Sequence, residues 1–364
     1  VGLRTILDST DGQLVKRVTD PAAPGYEAVV TKTPTALVAL VGPDEALAGV
    51  ALLALTSDTS GGVLTMPATL AYRDAYWYFP VSSAWTKGGI DELAAAVGQV
   101  LDLSFAEKIV LRSTDLATDL SSAGTLSITI PDPVKDAKDA VVFPKGVVQV
   151  KPDQAWTFLS SKGPKDSETI RTLRQELFWK AWIAQLHSSG AQFPGPTTSG
   201  LGRFVAALAH GQVSVSSLPV KAMPVEPPPS QGFGAVPEPA QAAVAAIVPF
   251  PDGAPGERPR MRVLDGTGRL GNGVTAAIQL NAAGGQVDVV GNAKSFGQAT
   301  TQIIWYEGTT EQEAIAMRDA LGVGEIEQSR ESNSSADITV VLGDDYLAKY
   351  GPTSGFTSST NGAG

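Results

Sequence analysis

Proline restricts the folding of this chain more than any other residue. Eleven of its 25 prolines lie between Pro219 and Pro259, including the run Pro227-Pro228-Pro229. Proline fixes φ and lacks an amide proton, so neither a regular helix nor an inner strand can run through such a stretch. The segment 223–258 is therefore predicted to be an extended connector. One short helix is expected inside it, from Pro239 to Val248, with proline at a first-turn position. The chain then divides into a first unit over 1–222, a second over 259–350 and a small polar tail over 351–364.

The 364 residues carry a net charge of −10, which disfavours a nucleic-acid partner because phosphate-rich polymers call for a basic face. With no cysteine there is no disulfide, thiolate nucleophile or cysteine-held metal. Only His187 and His210 could serve as imidazole ligands, so a multi-histidine metal site is also disfavoured. Chemistry would have to rest on carboxylates, arginines, hydroxyls or backbone amides. No apolar run approaches the roughly 18–20 residues that span a bilayer.

Hydrophobic patterning predicts alternating strands and helices. Arg4–Leu7 and Gln13–Val18 flank an Asp11-Gly12 turn signal and suggest a hairpin. Ala36–Leu40 and Ala51–Leu55 are apolar throughout, as expected of strands covered on both faces. Gly89–Leu101 has helical spacing, and Ser167–His187 more so, with Ile170, Leu173, Leu177, Phe178, Trp182 and Leu186 as its expected apolar stripe. In the second unit, Asn272–Ala283 and Thr310–Leu321 are predicted helices between the strands Arg262–Leu264, Val287–Val290, Gln302–Tyr306 and Ile338–Leu342. The glycine-rich Asp265–Gly273 segment reads as a tight strand-to-helix turn, because no acidic ribose-binding residue ends the next strand. The expected class is α/β: a three-layer α/β/α sandwich followed by a small α/β domain.

Three ordered motifs in Val263–Tyr346 (VLDGTGRLGNG, GGQVDVVGNA and ADITVVLGDDY) resemble the LytR C-terminal domain of actinobacterial envelope proteins. The first unit resembles the LytR–CpsA–Psr family in ALVALVGPD (Ala36–Asp44), SDTSGGVLTMP (Ser57–Pro67), GGIDELAAAVGQVLDL (Gly88–Leu103), TIRTLRQELFWKAW (Thr169–Trp182) and VSVSSLPVK (Val213–Lys221). Members of that family transfer glycopolymers from polyprenyl (pyro)phosphate carriers to wall acceptors. The resemblance implies an extracytoplasmic, envelope-located protein, anchored through an N-terminal segment that precedes this sequence.

The departures from that family bear directly on activity. Ala46-Leu47-Ala48 stands where the family has an arginine and an aspartate, and Ala68-Thr69 where it has arginine–aspartate after isoleucine–proline. The family's arginine ahead of the long helix gives way to Phe158–Lys162. Transfer from a diphosphate needs cations to neutralise the leaving group, and losing one such group typically costs ~10²–10³ in rate. The expectation is a pseudoenzyme, with no catalytic residue and no cofactor, that scaffolds or regulates cell-wall glycopolymer assembly. Its expected partners are active ligases, other envelope proteins and polyprenyl-phosphate lipids. The alternatives are an active phosphotransferase using Mg²⁺, to which Arg73-Asp74 could contribute, and a lipid carrier.

Arg171, Arg174, Gln175 and Lys162 are the candidates for residual phosphate binding. The competing reading of the two arginines is a solvated basic edge paired with Glu168, Glu176 or Asp166. Tyr76, Trp77, Phe178 and Trp182 are the candidates for lipid or partner contact. For the cluster Tyr72–Trp85, packing against the adjacent sheet is the simpler expectation, with a groove for a prenyl tail, a sugar ring or a partner as the alternative.

Overall fold

The computed structural model describes residues 3–5, 9–10, 13–14, 18–228, 230–253, 258–330 and 335–351. The Asp11-Gly12 turn and nearly all of the expected tail lie outside them. The chain forms two compact units, one of residues 32–258 and one that joins residues 2–31 to 259–364.

The first unit is built on a five-stranded sheet in the order Glu107–Arg112, Thr35–Val41, Leu47–Leu55, Gly61–Met66, Val213–Ser217. Its outer pairs are parallel and its central pairs antiparallel. Thr35–Val41 and Leu47–Leu55 are buried along their whole length, which explains their unbroken apolar sequence. Side chains alternate across the sheet. Ala36, Val38 and Leu53 face a layer holding the helices Ala155–Ser160, Glu168–Ser189 and Gly200–Ala209. Leu37, Ala39 and Leu52 face the helices Val81–Leu101 and Pro237–Ile247. The result is the three-layer α/β/α sandwich expected. The helix anticipated at Gly89 starts earlier, at Val81, and kinks at Gly88-Gly89, so the predicted piece is its second half.

The proline-rich stretch differs from expectation. Val220–Pro224 and Gln231–Ala235 pair as an antiparallel hairpin, and the helix Pro237–Ile247 buries Ala240, Val244 and Ile247 against the sheet. Prolines stand at the strand end, in the turn and in the first helical turn, where a missing amide costs least. The segment is thus a folded part of the first unit rather than a connector.

The second unit carries a seven-stranded sheet ordered Leu3–Thr5, Glu27–Val30, Gln286–Asn292, Arg260–Asp265, Ile338–Leu342, Gln302–Trp305, Glu325–Gln328. Its helix Glu311–Leu321 opens on the capping box expected there, with Thr310 Oγ1 accepting from Glu313 N at 3.2 Å. The N-terminal segment is a second departure. Glu27–Val30 pairs with Gln286–Asn292, and the Glu27 carboxylate pairs with Arg262, so this strand belongs to the second unit rather than the first. Leu3–Thr5 pairs with Val30–Ala28, and the hairpin expected with Gln13–Leu14 as its second arm has Ser9–Thr10 as its first.

Candidate functional site

The long helix Glu168–Ser189 supplies the site. Ser167 caps it, accepting from Ile170 N at 3.4 Å, and Gly190 ends it in the left-handed region. Its last three turns bury Phe178, Trp182 and Leu186 as the periodicity implies. Its first turns do not follow the expected stripe, since Ile170 and Leu173 are exposed while Thr172, Arg174 and Gln175 are buried. A helix that turns polar groups inward and apolar ones outward is arranged around something other than hydrophobic burial.

Gln175 is well satisfied. Its Nε2 donates to Ala48 O at 3.1 Å and to Leu159 O at 3.3 Å, tying the helix to the second core strand and to the short helix Ala155–Ser160. This requires Gly49, where a Cβ would stand 2.7 Å from Gln175 Cδ.

Arg174 is not well satisfied. It is 5% exposed, its Nη2 donates to Ser161 O and its guanidinium lies 5.9 Å from the centre of the Phe158 ring. Its Nε is buried with no acceptor, and among the described residues no carboxylate forms an ion pair with it. Burial, and then the neighbouring Arg171 charge, push its pKa down to about 10, so it remains a cation at neutral pH.

Arg171 and Lys162 share one acid: Glu168 lies 2.5 Å from Arg171 Nη2 and 2.7 Å from Lys162 Nζ. Glu176 is taken by Lys180 at 2.5 Å and by Ser217 Oγ at 2.7 Å, while Asp166 accepts from Gly163 N at 3.0 Å. The paired-edge reading therefore holds for Arg171 and fails for Arg174.

The other candidates separate cleanly. Phe178 and Trp182 are 1% and 0% exposed within a chain of rings, with Trp182 stacked on Trp179 at 5.3 Å and 6.0 Å from Phe178. They are core side chains, packed among these rings against the sheet. Tyr76 and Trp77 lie on the hairpin formed by Ala71–Asp74 and Trp77–Pro80 and are exposed, so the core-packing expectation fails for them. It holds for Tyr72 and Trp85, which pack against the core beside the helix Val81–Leu101.

A pocket between the sheet and the long helix has a volume of about 20 Å³ and is lined by residues that include Leu40, Gly49, Gln175, Phe178 and Trp179. That is room for about one water molecule. Ala48 and Ala68 are buried, 6% and 2% exposed, and present methyl groups where the resemblance implies acids and arginines. Of the acids on the preceding turn, Glu45 pairs with Arg112, while Asp44 accepts from Ala46 N at 3.3 Å. Among the described residues no group of three or more His, Asp or Glu side chains is placed to hold a metal ion. Arg73 donates to Ala75 O at 3.2 Å on its own hairpin, and Asp74 lies 4.0 Å from Lys87. That hairpin packs on the helix Val81–Leu101, across the sheet from Arg174. Sequence reading missed Phe158 as the ring beside Arg174 and Arg112 as the partner of Glu45. Neither has a local signal, since both contacts join distant segments.

In the second unit, Asp265 is 3% exposed and accepts from Thr267 N at 2.7 Å and Thr267 Oγ1 at 2.6 Å. Asn272 Nδ2 donates to Arg269 O at 3.2 Å, so the glycine-rich segment is tied to itself as a tight strand-to-helix turn. Residues 258–346 match the family model described as LytR cell envelope-related transcriptional attenuator. The sheet that holds the matched residues includes two strands outside the match, Leu3–Thr5 and Glu27–Val30. No curated protein matches the chain.

Solved structures similar to it include B. subtilis TagT, at 18% identity and a TM-score of 0.47, covering 64% of this chain and 92% of that one. A second is the LytR-CPS2A-psr family protein YwtF (TagT) with bound octaprenyl pyrophosphate lipid, at 15% identity and a TM-score of 0.46, covering 68% and 95%. A third is B. subtilis TagV, at 13% identity and a TM-score of 0.46, covering 60% and 96%. No helix among the described residues is long and apolar enough to cross a membrane.

Proposed function

We propose that this protein is a non-catalytic component of the cell envelope that scaffolds or regulates cell-wall glycopolymer assembly and recognises a phosphate-bearing carrier through Arg174. The observation that carries the anion-binding part is the buried guanidinium with an orphaned Nε and no carboxylate in contact. An unpaired buried charge is costly, and an incoming phosphate oxygen would supply the missing acceptor. Arg171 and Lys162, held beside it by Glu168, add positive potential. The envelope setting is supported by the description of the family that residues 258–346 match.

Absence of turnover is the second half of the reading. Ala48 and Ala68 supply neither a carboxylate for a metal nor a cation for a leaving group, and Arg73-Asp74 sits across the sheet from Arg174, in the layer that also holds Ala68. The lipid-carrier alternative needs a path for the prenyl tail, and the pocket of about 20 Å³ lined by Leu40, Gly49, Gln175, Phe178 and Trp179 is too small to be one. On this reading the headgroup is recognised and the tail stays outside.

The test is calorimetric titration of the full chain with geranylgeranyl diphosphate, alongside a phosphate-release assay with a polyprenyl-diphosphate-linked glycan and Mg²⁺. Saturable binding without release is the expected result, with Arg174→Gln weakening binding about tenfold or more. Turnover in the release assay would end the non-catalytic reading, and binding insensitive to Arg174→Gln would end the assignment of the site. A companion variant, Arg174→Met, should leave folding stability unchanged or raise it by up to ~2 kcal/mol, since it removes a buried charge that no carboxylate contacts and that Asp166 and Glu168 offset only from a distance. A purely structural arginine would instead lose stability on that change.

A further inference from the structure

The tip of the hairpin Ala71–Pro80 carries three consecutive aromatic side chains that the core does not use. Tyr76 is 85% exposed, Trp77 61% and Tyr78 44%. They form one wall of a cleft of about 390 Å³ whose facing wall includes Met223, Pro224 and Glu226. The two walls are joined at the base, where Glu226 N donates to Tyr78 O at 2.8 Å. Large rings left in water beside a formed concavity mark a binding surface rather than ordinary surface apolarity.

We propose that this cleft docks a proline-rich segment of a partner protein, in the polyproline-II conformation and with a basic residue beside it. A polyproline-II strand makes no internal hydrogen bonds, so its carbonyls point outward and need donors. Among the described residues, the hydroxyls of Tyr76 and Tyr78 and the indole N–H of Trp77 have no protein acceptor, and they stand beside the cleft as such donors. Rigid pyrrolidine rings are apolar and pack on aromatic faces, and aromatic rings lose little rotamer freedom on binding.

Charge narrows the choice of occupant. Among the described residues Glu226 is the only charged one lining the cleft, which favours Lys or Arg on the ligand and disfavours a phosphate or an anionic bilayer. Ser230 and Gln231 complete the polar lining, and a glycan, which they would also suit, is the competing occupant in the test below. The cleft is independent of the Arg174 site. Its hairpin packs in the layer of Val81–Leu101, whereas Arg174 lies on the helix in the opposite layer.

The experiment is calorimetric titration of the full chain with a panel of twelve-residue peptides carrying a Pro-x-x-Pro core and a flanking Arg. Controls are the same peptides with proline replaced by glycine, an N-acetylglucosamine tetramer and farnesyl phosphate. Saturable binding of panel members is expected, about tenfold or more tighter than their glycine versions. Trp77→Ala should weaken it about tenfold or more with the melting temperature unchanged, because the ring is exposed. Glu226→Gln should reduce the preference for the Arg-flanked peptides, while Arg174→Gln leaves peptide binding intact. The proposal is overturned if no panel member binds, if the glycine versions bind equally, if Trp77→Ala has no effect, or if the sugar or the lipid binds in the peptides' place.

Discussion

Trp182→Ala is expected to destabilise the first unit by about 3–5 kcal/mol, the range for removing a large, wholly buried aromatic side chain. Trp182 is 0% exposed and packs against Phe178, Trp179 and Phe193 at ring separations of 6.0, 5.3 and 6.3 Å. The alanine would leave a void in the layer that fastens the long helix to the sheet. Urea unfolding followed by circular dichroism would measure the loss. Trp182→Phe should cost clearly less, because it keeps most of the ring volume and removes an indole N–H that is buried without an acceptor. If Trp182 lined a lipid path instead, Trp182→Ala would change lipid binding and leave the unfolding midpoint nearly in place.

Gly291→Ala should detach the N-terminal strand from the second unit. Residue 291 pairs with Glu27 across the sheet, and a Cβ there would stand 2.9 Å from Glu27 Cα, a backbone atom that cannot swing aside. The neighbouring ties are Asn292 N to Tyr26 O at 2.7 Å, Gly25 N to Ala293 O at 2.9 Å and Asn292 Nδ2 to Ala23 O at 2.8 Å. Opening this seam should cost about 2–4 kcal/mol and remove hydrogen-exchange protection from the Asn292 amide. Unchanged protection would show that the strand is not held as described. The matching truncation, removal of residues 1–31, should lower the stability of the second unit and leave that of the first nearly unchanged.

Much of the layered architecture was legible from local pattern. Thr35–Val41 and Leu47–Leu55 announced strands covered on both faces by being apolar without alternation, and they are buried throughout. Thr310 and Glu313 announced a helix start through their three-residue spacing, and the structure shows the reciprocal hydrogen bonds. The connector expectation failed because proline content was read as a property of a segment. What mattered was where each proline fell within a hairpin and a helix start. The site was legible in its residue types and not in its geometry. Arg171 and Arg174 share one helix and similar flanking acids, yet one is paired at 2.5 Å and the other is buried with no acid in contact. A periodicity argument weights Ile170 and Leu173 as core and cannot foresee that the surrounding layer would turn them outward.

Composition and short-range spacing were enough to establish the chemistry open to this chain: no thiol, almost no imidazole, and helices and strands in alternating order. Those properties depend on residue identity and on neighbours a few positions apart. Coordinates were needed to learn that Leu3–Thr5 and Glu27–Val30 complete the second sheet, that a guanidinium lies buried with no carboxylate in contact, and that three aromatic rings stay in water above a cleft. Each of these is set by contacts between segments far apart in the chain. A contact between distant segments depends on the packing of everything between them, and no local pattern records it.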